Sequence, residues 1–297
     1  VEDSRLERIG SEITNAGDAI FIQEGANRNV IARNTIGHAG HGTISISFQS
    51  AAEATADDNI IAHNTTFNPW ASGMGINGKA LRTIIECNTI FDAADGTGVN
   101  YARSGIELEG SGNIVRFNEI YTNGAFGITI QGRTFSGFKQ NAIGNHIHNN
   151  TVFANGNASL QIVKRDSGLV QDNVIENNIF WLDAGLEYAG QRYAIPVDMF
   201  NASSTNVWAP GEIGNNIVRN NIFPANQLLV LMIRTASAGS NTAYTLAQAQ
   251  AAFAGWELSL QTDPLFLDAA AAASSFRRAA RRSPRVGPSP GTRSVVR

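Results

Sequence analysis

Asn113-Ile114-Val115-Arg116-Phe117-Asn118-Glu119-Ile120-Tyr121 sets the pattern that the rest of this chain repeats. Its form is an aliphatic residue three before an asparagine, another two after it, and usually an aromatic next. Six further segments keep this form, around Asn34, Asn64, Asn88, Asn150, Asn177 and Asn220. Successive asparagines lie 30, 24, 30, 32, 27 and 43 residues apart, which is the spacing of a solenoid with one supersecondary unit per step. Within a step the apolar residues alternate over runs of a few residues bounded by Gly and Asn, so each run reads as a short strand. No helix-length period fits inside a step, and three short strands with three turns per coil follow. A disordered Asn-rich tract would not hold aliphatic residues at fixed offsets.

The asparagine has two uses here. It tolerates left-handed backbone better than other non-glycine residues, so it is expected to turn the chain between two strands. Its amide both donates and accepts, so copies on successive coils are expected to bond in a ladder.

A second strand family runs through Ala19–Gln23, Thr43–Ser47, Gly75–Lys79, Gly105–Glu109, Gly127–Gln131, Ser159–Val163 and Ala194–Asp198. Period-two alternation turns its Ile, Leu and Val side chains inward and the residues between them outward. Two outward columns result. One reads Phe21, Ser45, Asn77, Glu107, Thr129, Gln161, Pro196; the other reads Gln23, Ser47, Lys79, Glu109, Gln131, Val163, Asp198.

Composition narrows the partners. The 297 residues are 43% hydrophobic, enough for a continuous core, and carry a net charge of −3. Seven Arg and no acid fall within residues 277–297, leaving 15 basic residues against 25 acidic ones in the body. A body near −10 argues against nucleic acid and, less strongly, against a polyanion held without a bridging cation. No run is long and apolar enough to span a bilayer. The one cysteine, Cys87, excludes an internal disulfide and reads as a small buried hydrophobe. The oligomeric state is left open.

The repeated strand–Asn–strand pattern over about residues 15 to 235 resembles the right-handed parallel β-helix proteins of the pectate-lyase-like superfamily. Asp263-Pro264-Leu265-Phe266-Leu267-Asp268 resembles the segment that closes such repeats, although Ala269–Ala273 and the Arg-rich remainder depart from it. The expected fold is all-β: a single-stranded, right-handed parallel β-helix of about seven to eight coils over residues 1–268. One short helix at about 245–256, with Thr245 as N-cap, is expected to shield the last coil. Residues 269–297 form a separate tail, read as unstructured. The resemblance implies an exported protein, secreted or at the cell surface, that acts on or binds polysaccharide.

Chemistry must then come from outward side chains and loops. The densest polar cluster is Lys79, Arg103, Glu107, Glu109, Gln131 and Arg133, with Asn77 beside them. Glu107 and Glu109 share one face of a strand, and paired carboxylates suit acid–base cleavage of a glycosidic bond. A lyase reading uses Lys79 with Arg103 or Arg133 as base and charge stabiliser. The alternative for the same residues is a solvated ion-pair network, Lys79 with Glu109 and Arg103 with Glu107. Catalytic candidates are therefore Lys79, Glu107, Glu109 and Arg133; substrate-binding candidates are Asn77, Arg103, Gln131, Tyr188 and Tyr193. The tyrosines lie in a lengthened coil, Asp183 to Gly214, of the kind that collects on a binding face. Gly40-His41-Gly42, with Gly17-Asp18 upstream, resembles the Gly-His-Gly element of polygalacturonase-like hydrolases, which use several Asp residues where Asp18 here stands alone. His146 and His148 read as a surface pair, since a metal site needs further ligands. Ca²⁺ is the one cofactor considered, and no residue set identifies a site for it. The competing reading of the whole chain is a non-catalytic carbohydrate-binding or adhesive β-helix.

Overall fold

The computed structural model describes residues 1–10, 17–48, 52–93, 104–165, 168–181, 194–200, 214–225, 229–234 and 241–263. The chain winds as stacked coils of three short strands, and three largely parallel sheets run along the stack. Among the described residues the sheets hold ten, nine and seven strands. They start at Ile20–Ile22, Arg5–Glu7 and Val30–Ala32 respectively. This is the expected parallel β-helix, including three strands per coil.

Local geometry explains why most strands are only two or three residues long. Gly112, Phe117 and Thr122, five residues apart, take φ of +68°, +56° and +52°. Each such corner is followed by an asparagine, Asn113, Asn118 and Asn123, that is buried and turned inward. The middle residue of each triplet, such as Val115 or Ile120, then points into the core. The asparagine is thus not the left-handed residue; the residue before it is. Arg33, His63, Cys87 and Phe117 occupy that corner in four coils, with φ of +54° to +57°. Asn177 and Asn220 are corners too, at +58° and +54°, and the ladder runs through Asn178 and Asn221 instead. The same geometry corrects Cys87, which is exposed rather than buried.

The ladder is continuous from Asn34 through Asn64, Asn88, Asn118, Asn150 and Asn178 to Asn221, with Nδ2-to-Oδ1 distances of 2.9–3.0 Å. It ends where the Asn221 backbone N–H donates to Ser259 Oγ. A second ladder sits five residues earlier and includes Asn29–Asn59 and Asn113–Asn145–Asn173–Asn216. Thr83 interrupts it. A third, short ladder pairs Asn123 with Asn155. Between the corners the core is a column of Ile, Val and Leu. Beside it Phe67, Phe91, Tyr121 and Phe153 stack with centroids 5.5, 5.1 and 4.9 Å apart.

The helix spans Leu246–Ala252. Thr245 caps it in a reciprocal box with Gln248, and Phe253 leaves helical geometry, so the helix ends short of Trp256. Leu246, Ala249, Phe253 and Trp256 are buried in the main core. Among the described residues no helix is long and apolar enough to cross a membrane. The closing motif beyond Asp263, and the division into residues 1–268 and a tail at 269–297, fall at or beyond the limit of the described residues.

Candidate functional site

The ten-stranded sheet carries the polar columns, and its register differs from the expected one in the third coil. Ser45 pairs with Gly75, and Gly75 pairs with Glu107. Asn77 therefore stands beside Ser47, to which its Nδ2 donates, and not beside Glu107. Lys79 falls past the columns altogether. Its Nζ donates to the Glu53 carbonyl and lies 5.6 Å and 5.2 Å from the rings of Phe48 and Phe138. The columns are also not open to solvent along their length: Glu109 is 0% exposed and Gln131 1%. Both faces of the Phe126–Gly132 stretch are buried. The strand then continues to Phe135 and turns back as Phe138–Gln140. Phe135 and Phe138 of this hairpin pack edge-on against Phe48, and the Gln140 side chain accepts from the Gly78 N–H.

What stays accessible is a notch over Gly75. Among the described residues, a Cβ at Gly75 would meet only Ser45 Oγ, at 3.7 Å. Glu107, half-buried, forms one side. Its Oε1 accepts from Gln131 Nε2 at 3.0 Å and its Oε2 from Ser72 Oγ at 3.2 Å. On another side His41 Nδ1 lies 2.8 Å from Asp18 Oδ1. The same Asp18 oxygen accepts from the Gly42 N–H and from Ser45 Oγ, each at 2.8 Å. Gly42 must be glycine: a Cβ there would lie 2.8 Å from both Asp18 Oδ1 and Ser45 Oγ. The Gly-His-Gly run is thus a turn that lets one carboxylate oxygen collect three donors.

Charge follows this geometry. Its hydrogen bond to Asp18, then the Asp18 and Glu107 charges, raise the His41 imidazole against the opposing effect of burial. Burial pushes Asp18 up, but His41, Ser45 and Gly42 together outweigh it and hold the carboxyl below its ordinary value. Behind Glu107, Gln131 Nε2 also donates to Glu109 Oε1. Arg133 Nη2 donates to Glu109 Oε2 at 3.0 Å, with Nε 2.7 Å from Oε1. Burial, then the Glu107 charge, push the Glu109 carboxyl up to about 7, against the pull of Arg133 and Gln131.

Of the residues expected to carry chemistry, Glu107, Glu109, Gln131 and Arg133 form one network, while the Asn77 side chain bonds to Ser47 instead. Arg103, Tyr188 and Tyr193 lie outside the described residues, as does most of the lengthened coil around them. Ser72 and Gly75 went unanticipated. A usable signal existed: the inward strand residue falls ten after the ladder asparagine in Asn34–Ile44, Asn64–Met74, Asn118–Ile128 and Asn150–Leu160. The His146 and His148 rings lie 4.2 Å apart, tilted by 34°, and His146 pairs with Glu176 at 2.9 Å. Among the described residues no group of three or more His, Cys, Asp or Glu is arranged to hold a metal ion.

The family model described as "Right handed beta helix region" matches residues 2–180, more than half of the chain. The protein belongs to the right-handed β-helix family. Two solved structures resemble this β-helix. One is an alginate lyase from Paenibacillus sp. str. FPU-7, at 16% identity and TM-score 0.45, covering 80% of this chain and 83% of that one. The other is XylC in complex with xylose, at 12% identity and TM-score 0.39, covering 75% of this chain and 45% of that chain. A search of curated proteins finds no match.

Proposed function

We propose that this β-helix is an exported polysaccharide-acting enzyme that breaks glycosidic bonds by acid–base chemistry, with His41 and Glu107 as the reacting pair. The observation that carries the reading is the notch over Gly75, flanked by an imidazole held by Asp18 and by a half-buried carboxylate. Asp18 favours the imidazolium, which donates a proton to the leaving glycosidic oxygen. Glu107 accepts the proton released in the other half of the reaction. That proton comes from an attacking water in hydrolysis, or from the carbon beside a carboxyl group in elimination. Ser72 and Gln131 hold the two Glu107 oxygens, so the carboxylate is oriented before substrate arrives. Glu109, fully buried, reaches substrate only through this network and is a positioning residue, with Arg133 as its counter-ion. Lys79, enclosed by Phe48 and Phe138, supports the wall and is assigned no chemical step.

The test is a panel of acidic and neutral polysaccharides, followed in parallel by absorbance of unsaturated ends and by reducing ends. Glu107→Gln and His41→Gln should each lower kcat by about a hundredfold or more while Tm holds. Activity that survives both substitutions sinks the assignment. Silence in both assays, with retention of the protein on the same glycans, would favour the carbohydrate-binding alternative.

A further inference from the structure

The outward column that carries Glu107 begins three strands earlier at Phe21. Its register runs Phe21, Ser45, Gly75, Glu107, then Thr129 and Gln161. Phe21 is the aromatic member of this otherwise polar or side-chain-free row. Phe21 is 42% exposed, while its neighbours Ile20 and Ile22 point into the core. No other ring packs against it among the described residues. A single exposed phenylalanine needs no special account by itself. This one, however, lies in line with the notch, two strands from Gly75.

Adjacent strands are about 4.8 Å apart, so Phe21 sits about 10 Å from Gly75 and about 14 Å from Glu107 along the stack. Between them Ser45 lies buried beside the Asp18–His41 pair, and Gly75, with no side chain, leaves room over the next strand. A pyranose presents a face of C–H bonds, and an aromatic ring covers such a face with little loss of side-chain freedom. We propose that Phe21 is a sugar-stacking subsite for the polysaccharide cleaved at Glu107, and that the bound glycan runs along the axis of the stack, across the Asp18–His41 pair and over Gly75. The proposal rests on the acid–base reading of the notch for the position of the cut.

The experiment compares wild type, Phe21→Ala, Phe21→Trp and Glu107→Gln by electrophoresis through polysaccharide-containing gels and by kinetics on oligosaccharides of increasing length. Phe21→Ala should weaken gel retardation and raise KM roughly tenfold on long chains, leave short substrates unaffected, and be rescued by Phe21→Trp. Equal behaviour of wild type and Phe21→Ala on long chains overturns the subsite. So does a Phe21→Ala effect on sedimentation alone, which would make the ring a contact between copies. Retardation that depends on Phe21, without product from wild type, keeps the subsite and sinks the acid–base reading. A wild-type chain neither retarded nor active overturns both.

Discussion

Asn177 and Asn178 are adjacent and chemically identical, yet the fold uses them for opposite tasks. Asn177 supplies a left-handed corner and faces solvent. Asn178 accepts from the Asn150 backbone and side chain and donates to Asn221, the Ile147 carbonyl and the Glu176 carbonyl. Asn178→Ala should therefore cost about 3 kcal/mol by orphaning buried groups, and Asn177→Ala about 1 kcal/mol by losing tolerance of that corner. Equal losses in urea unfolding would mean the rung is misassigned. Glu109 gives a second residue-level test. Its folded-state carboxyl is raised from the ordinary 4.5 to about 7. Its stability contribution is thus fully present below about pH 4.5 and is lost as pH rises to about 7. Glu109→Gln cannot ionise, so its Tm should vary less with pH across that window than wild type. A variant that keeps the full wild-type slope would show that another group titrates there.

At the level of strands and ladders, the period was readable because each coil repeats one local rule: a left-handed corner, then an inward amide, then an inward aliphatic. The rule hides when two candidates sit side by side, as at Asn177–Asn178 and Asn220–Asn221. It hides again where Gly73 and Gly75 both precede an apolar residue and only Met74, packed in the core, fixes the register. The second ladder was legible in principle, since Asn113 and Asn118 repeat as Asn145 and Asn150. Its interruption suggests a repair. Thr83 stands in the rung between Asn59 and Asn113, and its Oγ1 is buried without a hydrogen-bond partner. Its backbone N–H already donates to Asn113 Oδ1 at 2.8 Å. Thr83→Asn would offer Asn59 a side-chain acceptor and should raise stability by about 1 kcal/mol. A lower denaturation midpoint would show that the coil spacing at this rung cannot take the longer side chain. The enclosure of Glu109 and Gln131 was not legible at this scale, because period-two alternation says only which way a side chain points. Whether a hairpin such as Phe126–Phe135 with Phe138–Gln140 rises beside it is a tertiary matter.

Across the whole molecule, Asp18, His41, Gly75 and Glu107 come from four consecutive coils, so the notch exists only while those coils stay in register. A stack whose coils touch mainly their neighbours has a stability near the sum of coil and interface terms, and its ends are the weak points. At the last coil Trp256 fills the core beside the closing strand Leu260–Gln261. Trp256 is 0% exposed, lies in the same core cluster as Val218 and Phe223 and has its ring 6.5 Å from that of Phe253, and the Gly255 and Glu257 carbonyls accept from Val218 and Asn220. Trp256→Ala should cost about 3–5 kcal/mol, and the cost should fall unevenly. Hydrogen exchange should show Ile217–Arg219 and Ile222–Phe223 losing protection first, while Ile44–Ile46 and Met74–Ile76, three or more coils away, keep theirs. The Glu107-dependent rate should then persist at temperatures where the last coils are already open. Uniform loss of protection along the chain would mean that the stack melts as one unit, and the nearest-neighbour account of how this site is held would fail.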